Sequence, residues 1–324
     1  MAKGRLHYID VLKGILILLV VVSHTTWQAE TNGVDNVLFL SMKEINFMIV
    51  PFFMAAFFAV TGYCANFDKP YMQFLIADIK SLLFPSVSLV VVAALLRYIM
   101  MGEWDFSWIT PHRLTRFLSL HWFLPALFWV KQIHYWLRKT NIYLAWGGYL
   151  MFAFIGYYMV GHCVEYWWFY HALIFAIYLQ FGSQLKNVDF KPIYCVMYIV
   201  MVVSMKQIFG NVPYVTSETS MRVWQMPLFI VSAFLGTMSI FYISKRVNSN
   251  KFLEFLGRNS IVIYCLHFTV MADFYRIFAK ALNVCNIYQS IFALILMYTT
   301  VVLTTMGISV LLNTKFTKWV IGKF

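Results

Sequence analysis

Long apolar runs recur along the whole chain, and they constrain its fold more than any other feature of the sequence. Each run is close to the roughly 20 residues that an α-helix needs to cross a hydrocarbon core about 30 Å thick. The runs are continuous rather than alternating, which favours helices over the strands of a β-barrel. They cover residues 12–31, 45–66, 81–101, 117–137, 142–160, 167–185, 192–207, 224–244, 259–279 and 288–312. The sequence therefore predicts an all-α, polytopic bundle of transmembrane helices with about ten spans.

The composition supports a bilayer environment. Of the 324 residues, 61% are hydrophobic and 12% are charged, whereas about a quarter of the residues in a soluble domain are charged. A soluble fold would expose this apolar excess to water, but lipid solvates it. We therefore expect a single integral-membrane domain over residues 1–324. No small-residue cleavage site follows the first run, so we expect that run to stay as a helix rather than be removed as a signal peptide.

The basic residues predict the orientation of the chain. Most of the 25 Lys and Arg residues fall in alternate connecting segments, beginning with the N-terminal one. Cytoplasmic loops of membrane proteins carry such an excess of cations, so the pattern predicts that both termini are cytoplasmic. It also accounts for the formal net charge of +12 without a nucleic-acid partner, and we expect none. The eight histidines lack the paired ligand spacing of a metal site, and we expect no metal.

The first run carries ionisable residues on one helical face. Lys13 and His24 are eleven residues apart, which is about three turns, and Asp10 precedes Lys13 by three residues. The face would run about 16 Å from a cation at the membrane boundary to an imidazole deep in the bilayer. A phosphorylated carrier with a long thin arm, such as coenzyme A, suits that arrangement. The structural alternatives are an interfacial lysine that snorkels and a histidine that hydrogen-bonds between helices.

Five segments, in order along the chain, resemble the acyltransferase-3 family of bacterial integral-membrane acyltransferases. They are RLHYIDVLKGI at 5–15 running on to His24, PFF to AVTGY at 51–63, KSLLFP at 80–85, HWFLPAL at 121–127 and FLGRNSIVIYCLH at 255–267. Three positions depart from the family's pattern. Lys13 stands in place of the usual arginine, Thr61 in place of a serine, and the basic pair before the third run is reduced to Lys80.

The resemblance implies a function as well as a fold of about ten helices. An acyl group, usually acetyl, would move from cytoplasmic acetyl-CoA to a hydroxyl of an extracytoplasmic glycan or glycolipid, at the bacterial cytoplasmic membrane with its lipids as neighbours. His24 would act as a general base or as an acyl-carrying relay, because an imidazole titrates near neutrality. Three sets of residues are expected to contribute: His24, Thr61 and Trp122 to catalysis, Lys13, Asp10 and Lys80 to donor binding, and His121, Tyr264 and His267 to acceptor binding.

Other interpretations remain open from the sequence. A transporter or flippase for a glycan or lipid-linked sugar would share the spans, the aromatic residues and the intramembrane histidines. The same fold could also use another acyl group, such as succinyl, or an amine as acceptor. A third alternative is a family member that has lost catalysis. His267 itself could line the acceptor cavity with Tyr264 or simply join two helices.

Overall fold

The computed structural model describes residues 6–31, 44–102, 121–160, 167–210, 223–282 and 287–323. Their regular structure is helical, with no strand in these ranges, which confirms the all-α prediction. The helices are α1 (His7–Thr31), α2 (Phe53–Cys64), α3 (Tyr71–Asp78), α4 (Phe84–Met101), α5 (Phe123–Leu137), α6 (Ile142–Val160), α7 (Trp167–Gln184), α8 (Ile193–Phe209), α9 (Met226–Val247), α10 (Lys251–Arg258), α11 (Ser260–Leu282) and α12 (Ile287–Leu312).

Several helices are long and apolar enough to cross a membrane. Within the described ranges, six segments meet that description: His7–Thr25, Glu44–Cys64, Tyr71–Met101, Ile142–Met159, Met226–Val247 and Ile295–Leu312. The count reaches seven if α10 and the first part of α11, bent by 82° where they join, form one broken span. The chain is therefore a multi-pass membrane protein. Ten spans, cytoplasmic termini and a single domain over 1–324 stay predictions, and residues 117–120 of the fourth predicted span lie outside the described ranges.

The faces of the spans agree with lipid as the surrounding solvent. On α6, Tyr143 is 82% exposed and Leu144 is 70% exposed. Ile208 at the end of α8 is 71% exposed. Large apolar side chains in these positions would be costly in water, whereas a hydrocarbon environment solvates them.

The third span begins earlier than the sequence predicted. Helical structure runs from Tyr71 to Met101 through a π-helical turn at Ile79–Leu83, whereas the apolar run starts at residue 81. The predicted start at residue 81 was wrong, because the preceding segment, which contains the charged residue Asp78, is helical as well. In the structure this carboxylate is buried and is bonded by the side chains of Lys131 and Gln132 on α5. A buried charge that is paired and hydrogen-bonded does not end a helix.

The helices fall into two compact units, each described by itself. Unit 1 draws on Met1–Val50, Val87–Phe106 and Val247–Phe324, and unit 2 on Pro51–Ser86 and Ser107–Arg246. Every contact discussed below lies inside one unit.

In unit 1, helix α1 packs against α10 and α11, and α12 packs against α11. A Cβ atom added at Gly257 would lie 1.9 Å from the carbonyl oxygen of Asp10, and one added at Gly14 would lie 2.1 Å from that of Leu253. Both neighbours are backbone atoms that cannot move aside cheaply. Glycine at both positions therefore lets the N-terminal half of α1 lie directly against α10, which is the usual role of small residues between membrane helices.

In unit 2, helix α7 packs against α2, α5 and α6. At the α2–α7 crossing, each helix again places a glycine against the backbone of the other. A Cβ atom at Gly62 would lie 2.0 Å from the carbonyl oxygen of Leu179, and one at Gly182 would lie 1.9 Å from that of Ala59. Three motifs that carried the family resemblance therefore contain a glycine, Gly14, Gly62 or Gly257, whose role is close helix packing.

Candidate active site

Two histidines from distant parts of the chain meet in unit 1. His24 lies on α1 and His267 lies on α11, 243 positions apart in sequence. The Nδ1 atom of His24 is 3.3 Å from the Nε2 atom of His267. Their ring centroids are 4.9 Å apart, with the planes inclined by 66°. The ring of Phe268 packs edge-on against His24 at 6.0 Å between centroids.

Backbone carbonyls assign the tautomer of each ring. The Nδ1 atom of His267 is 2.7 Å from the carbonyl oxygen of Tyr264 and 3.1 Å from that of Ile263. A carbonyl oxygen only accepts, so Nδ1 of His267 carries the hydrogen, and Nε2 of the neutral ring carries a lone pair. The tautomer is thus assigned from the hydrogen-bond network rather than from hydrogen positions.

The same argument applies to His24. Its Nδ1 atom is 3.0 Å from the carbonyl oxygen of Val20, one helical turn earlier. Nδ1 of His24 therefore carries the hydrogen and shares it between Val20 and the Nε2 lone pair of His267. The basic nitrogen of His24 is then Nε2, which makes no hydrogen bond with any residue that the structure describes. The side chain is half-buried, whereas that of His267 is 3% exposed.

The N-terminal part of α1 carries two of the predicted donor-binding residues, Asp10 and Lys13. Asp10 is buried where α1 meets Gly257 of α10. Lys13 is half-buried one turn later. Its ammonium group makes no ion pair or hydrogen bond with any residue in the described ranges, so its charge is available to an anionic ligand. Eleven residues of helix separate it from His24, which is about 16 Å along the axis.

The remaining predicted residues lie in unit 2. The Thr61 hydroxyl donates to the carbonyl oxygen of Phe57 in its own helix, at 3.0 Å. Trp122 immediately precedes α5, and its ring lies 4.9 Å from that of His171 and 5.6 Å from that of Phe175 between centroids.

His121 and Lys80 complete the predicted set in unit 2. His121 is buried, with Nδ1 3.3 Å from the carbonyl oxygen of Ser86. Lys80 is exposed on the π-helical turn between α3 and α4.

The structure brings some predicted residues together and reveals others. His24 and His267 touch, and Tyr264 supplies the carbonyl that orients His267, whereas the sequence had placed these two histidines in different roles. His171 beside Trp122 was missed, as was the ion pair of Asp273 on α11 with Arg97 on α4, at 3.6 Å. Within the described ranges, no group of three or more His, Cys, Asp and Glu residues is arranged to hold a metal ion.

Comparison with known proteins identifies the family. A family model for an acyltransferase domain, that of the acyltransferase-3 family, matches residues 6–314. Neither the curated proteins nor the solved structures give a match. The matched region contains both histidines, the cation on α1 and all five motifs that carry the resemblance, except for Arg5 at the start of the first motif. The chain therefore belongs to the acyltransferase-3 family and is a multi-pass membrane acyltransferase.

Proposed function

We propose that this membrane acyltransferase moves an acyl group, acetyl first of all, from cytoplasmic acetyl-CoA to a hydroxyl of an extracytoplasmic glycan or glycolipid. One observation carries the proposal: His24 presents a basic Nε2 atom, because Val20 and His267 both hold its Nδ1–H. A histidine held in one tautomer, with its second nitrogen open, is the form that general-base catalysis needs. Membership of an acyltransferase family supplies the reaction class.

In the base-catalysed route, the acceptor oxygen attacks the thioester carbonyl while Nε2 of His24 takes the hydroxyl proton. The carbon–sulfur bond then breaks, and the thiolate of coenzyme A leaves and recovers that proton from His24. The products are the acyl ester and the free thiol. Without the base, a sugar hydroxyl is a weak nucleophile near neutral pH.

A second route passes through His24 itself. Nε2 attacks the thioester carbonyl, the carbon–sulfur bond breaks, and the coenzyme A thiolate leaves with the acyl group bonded to Nε2. A hydroxyl then attacks the acyl carbon, the bond from that carbon to Nε2 breaks, and Nε2 takes the hydroxyl proton, which finally passes to the thiolate. This route carries the acyl group from a donor on the cytoplasmic side to an acceptor on the other side in two steps. Both routes need the same nitrogen, so the tautomer of His24 supports each equally.

The donor would approach along α1. Its phosphates would lie near Lys13, whose charge is not neutralised by any described residue, and its thioester would reach His24 about 16 Å away. Asp10 would help to position Lys13 from one turn earlier. Donor binding by Lys80 stays a prediction from the sequence. Because lysine is a compact point charge, it would hold a phosphate less directionally than the arginine usual in this family.

The acceptor and the transition state would be held by polar and aromatic residues. Thr61 and Trp122 are proposed to donate hydrogen bonds to the oxygen that gains charge during attack. Thr61 would have to turn its hydroxyl away from the Phe57 carbonyl to do so. His121 and Tyr264 are proposed to contact the acceptor. We place the protein in a bacterial cytoplasmic membrane, with both termini inside.

Family membership weighs against the transporter interpretation, since a transporter needs no acyl donor. A different acyl group and a member without activity are separate outcomes of one experiment. The purified protein in nanodiscs is given acetyl-CoA, and binding and release of the free thiol are measured for the wild type and for His24→Ala. Succinyl-CoA is tested in parallel.

We expect both proteins to bind acetyl-CoA and only the wild type to release the thiol at an appreciable rate. The loss in His24→Ala should be about 10²–10⁴-fold, the usual contribution of a general base. Equal thiol release by the variant would contradict a role for His24. Binding of succinyl-CoA alone would change the acyl group, and no binding of either donor would contradict the proposed donor.

Rapid quenching with labelled acetyl-CoA, in the absence of acceptor, separates the two routes. Label that appears on the wild-type protein but not on His24→Ala supports the acyl-histidine relay. Turnover without labelled protein supports direct base catalysis.

A further inference from the structure

We propose that His267 is the positioning residue of His24, and that its neutral ring accepts the Nδ1–H of His24 as part of the catalytic step. This role differs from contact with the acceptor, and it rests on the proposed function of His24. Three features carry it: the 3.3 Å approach of the two nitrogens, the assigned polarity of His267 and the burial of its side chain.

Carbonyl oxygens of its own helix assign the hydrogen of His267 to Nδ1 and the lone pair to Nε2. Two carbonyl oxygens, from Tyr264 and Ile263, lie within hydrogen-bond distance of Nδ1, and both can only accept. Moving the hydrogen to Nε2 would place the Nδ1 lone pair against these two carbonyl oxygens, so that acceptors would face each other. At 3% exposure, no water would replace the lost bond cheaply. The lone pair on Nε2 of His267 is therefore held toward α1.

The contact also requires a neutral His267. If both of its nitrogens carried hydrogens, the Nε2–H would point at the Nδ1–H of His24, and two donors would face each other. His24 cannot relieve this by moving its own hydrogen to Nε2, because the Nδ1 lone pair would then lie 3.0 Å from the Val20 carbonyl oxygen, and two acceptors would face each other. The geometry is satisfied only by neutral His267 as acceptor and His24 as donor.

The chemical consequence appears when His24 reacts at Nε2. Taking a proton or an acyl group there makes the ring cationic, and the hydrogen bond from its Nδ1 becomes charge-assisted and stronger. His267 thus stabilises the charged form of His24 more than the resting form, which is what lowers a barrier. A carboxylate supplies this acceptor in serine hydrolases. Here a neutral imidazole, oriented by main-chain carbonyls, would supply it inside the membrane.

Two substitutions at His267 separate a positioning role from simple helix packing. His267→Leu keeps apolar bulk but removes the acceptor, and His267→Gln restores a side-chain oxygen that can accept. We expect His267→Leu to lower kcat by about 10–100-fold, the value of one charge-assisted hydrogen bond. KM for acetyl-CoA should change by less than about twofold, because the contact lies at the reacting end.

The glutamine variant should recover most of the lost kcat, and the matched variant His134→Leu, at a buried histidine of unit 2, should leave kcat unchanged. Loss of activity to the same extent in His267→Leu and His267→Gln, with wild-type melting temperatures, would overturn the proposal. So would wild-type kcat in His267→Leu. If instead His24→Ala turns over like the wild type, the proposed function of His24 fails, whatever the His267 variants do.

NMR of histidine nitrogens in selectively labelled wild-type protein tests the same idea without relying on the kcat of a variant. Signals are assigned by their loss in His24→Ala and His267→Gln. We expect both rings to be neutral, each with its hydrogen on Nδ1. A hydrogen on Nε2 of His267, or a cationic His267 at the pH of turnover, would overturn the proposal.

Discussion

Each unit contains a hydrogen-bonded pair built on a histidine, and the two pairs differ in what they leave open. In unit 1, Nδ1 of His24 lies 3.3 Å from Nε2 of His267. In unit 2, Nδ1 of His134 on α5 lies 2.8 Å from the hydroxyl oxygen of Tyr149 on α6. Both bonds join helices inside apolar surroundings, which is a common way of stabilising membrane bundles.

The hydrogen-bond partner of each histidine decides whether its tautomer can be assigned. A tyrosine hydroxyl donates or accepts, so the bond to Tyr149 is compatible with either neutral tautomer of His134. In addition, Phe67 packs over the His134 ring at 4.5 Å between centroids, and the side chain is only 2% exposed. His24 has a carbonyl and an oriented imidazole as partners, and it is half-buried. A buried, bonded histidine is therefore not in itself a site, whereas one with an assigned tautomer and an open nitrogen is a good candidate.

The cations near the two pairs differ in the same way. Lys131 precedes His134 by one turn and is paired with the buried carboxylate of Asp78. Lys13, on the helix of His24, has no ion-pair partner among the described residues. The charge of Lys131 on α5 is thus neutralised by an ion pair inside unit 2, while the charge of Lys13 on α1 remains available to a ligand.

We expect the greatest difference in turnover when the same substitution is made in the two histidine pairs. His24→Gln should lower turnover of acetyl-CoA by about 10²–10⁴-fold, because glutamine cannot act as a base. His134→Gln should change it by less than about twofold, since its role is structural, although its melting temperature should fall. Thiol release and thermal unfolding of both variants in nanodiscs measure this. A comparable loss of turnover in both would remove the distinction between the pairs.

A middle-sized effect is expected at the helix crossing that places α1. Gly257→Ala should destabilise the protein by about 1–3 kcal/mol, because its Cβ would meet the Asp10 backbone. Gly307→Ala on α12 is the matched control: a Cβ there has nothing within 4 Å, and alanine should add up to about 1 kcal/mol to helix stability. Melting temperatures by intrinsic fluorescence compare the two. An unchanged melting temperature for Gly257→Ala would contradict the close α1–α10 packing.

The smallest expected effect concerns the available cation. Lys13→Glu should weaken acetyl-CoA binding about tenfold through charge reversal near the phosphates, and Lys13→Arg should preserve it. Lys251→Glu, at the exposed start of α10, controls for the change in net charge. Equilibrium binding to nanodisc-embedded protein measures all three. Equal affinities for Lys13→Glu and Lys251→Glu would exclude Lys13 from the donor site.

Much of the fold was predictable because apolar runs report directly on burial in lipid. The helices at Ile142–Val160 and Ile193–Phe209 begin within a residue of their predicted starts and end within two residues of their predicted ends. The start of the third span was not predictable, since the sequence does not reveal that Asp78 finds partners on α5. Within the site, the bond from His24 to Val20 is a local contact across one turn, and helical spacing alone suggests it. The contact with His267 has no such local signal.

The amino-acid sequence was enough to predict that this protein lies in a lipid bilayer, that it is helical, which family it belongs to, and that Lys13 aligns with His24 along one helix. These properties depend on composition, local periodicity and short motifs, which need no knowledge of distant contacts. The contact of His267 with His24, and the close packing of α10 against α1 at Gly257, became visible only in the folded structure. Which of the two histidines donates the hydrogen bond depends on which atoms of two distant helices come within hydrogen-bond distance. This contact depends on how the helices pack, because two residues 243 positions apart share no periodic pattern in the sequence.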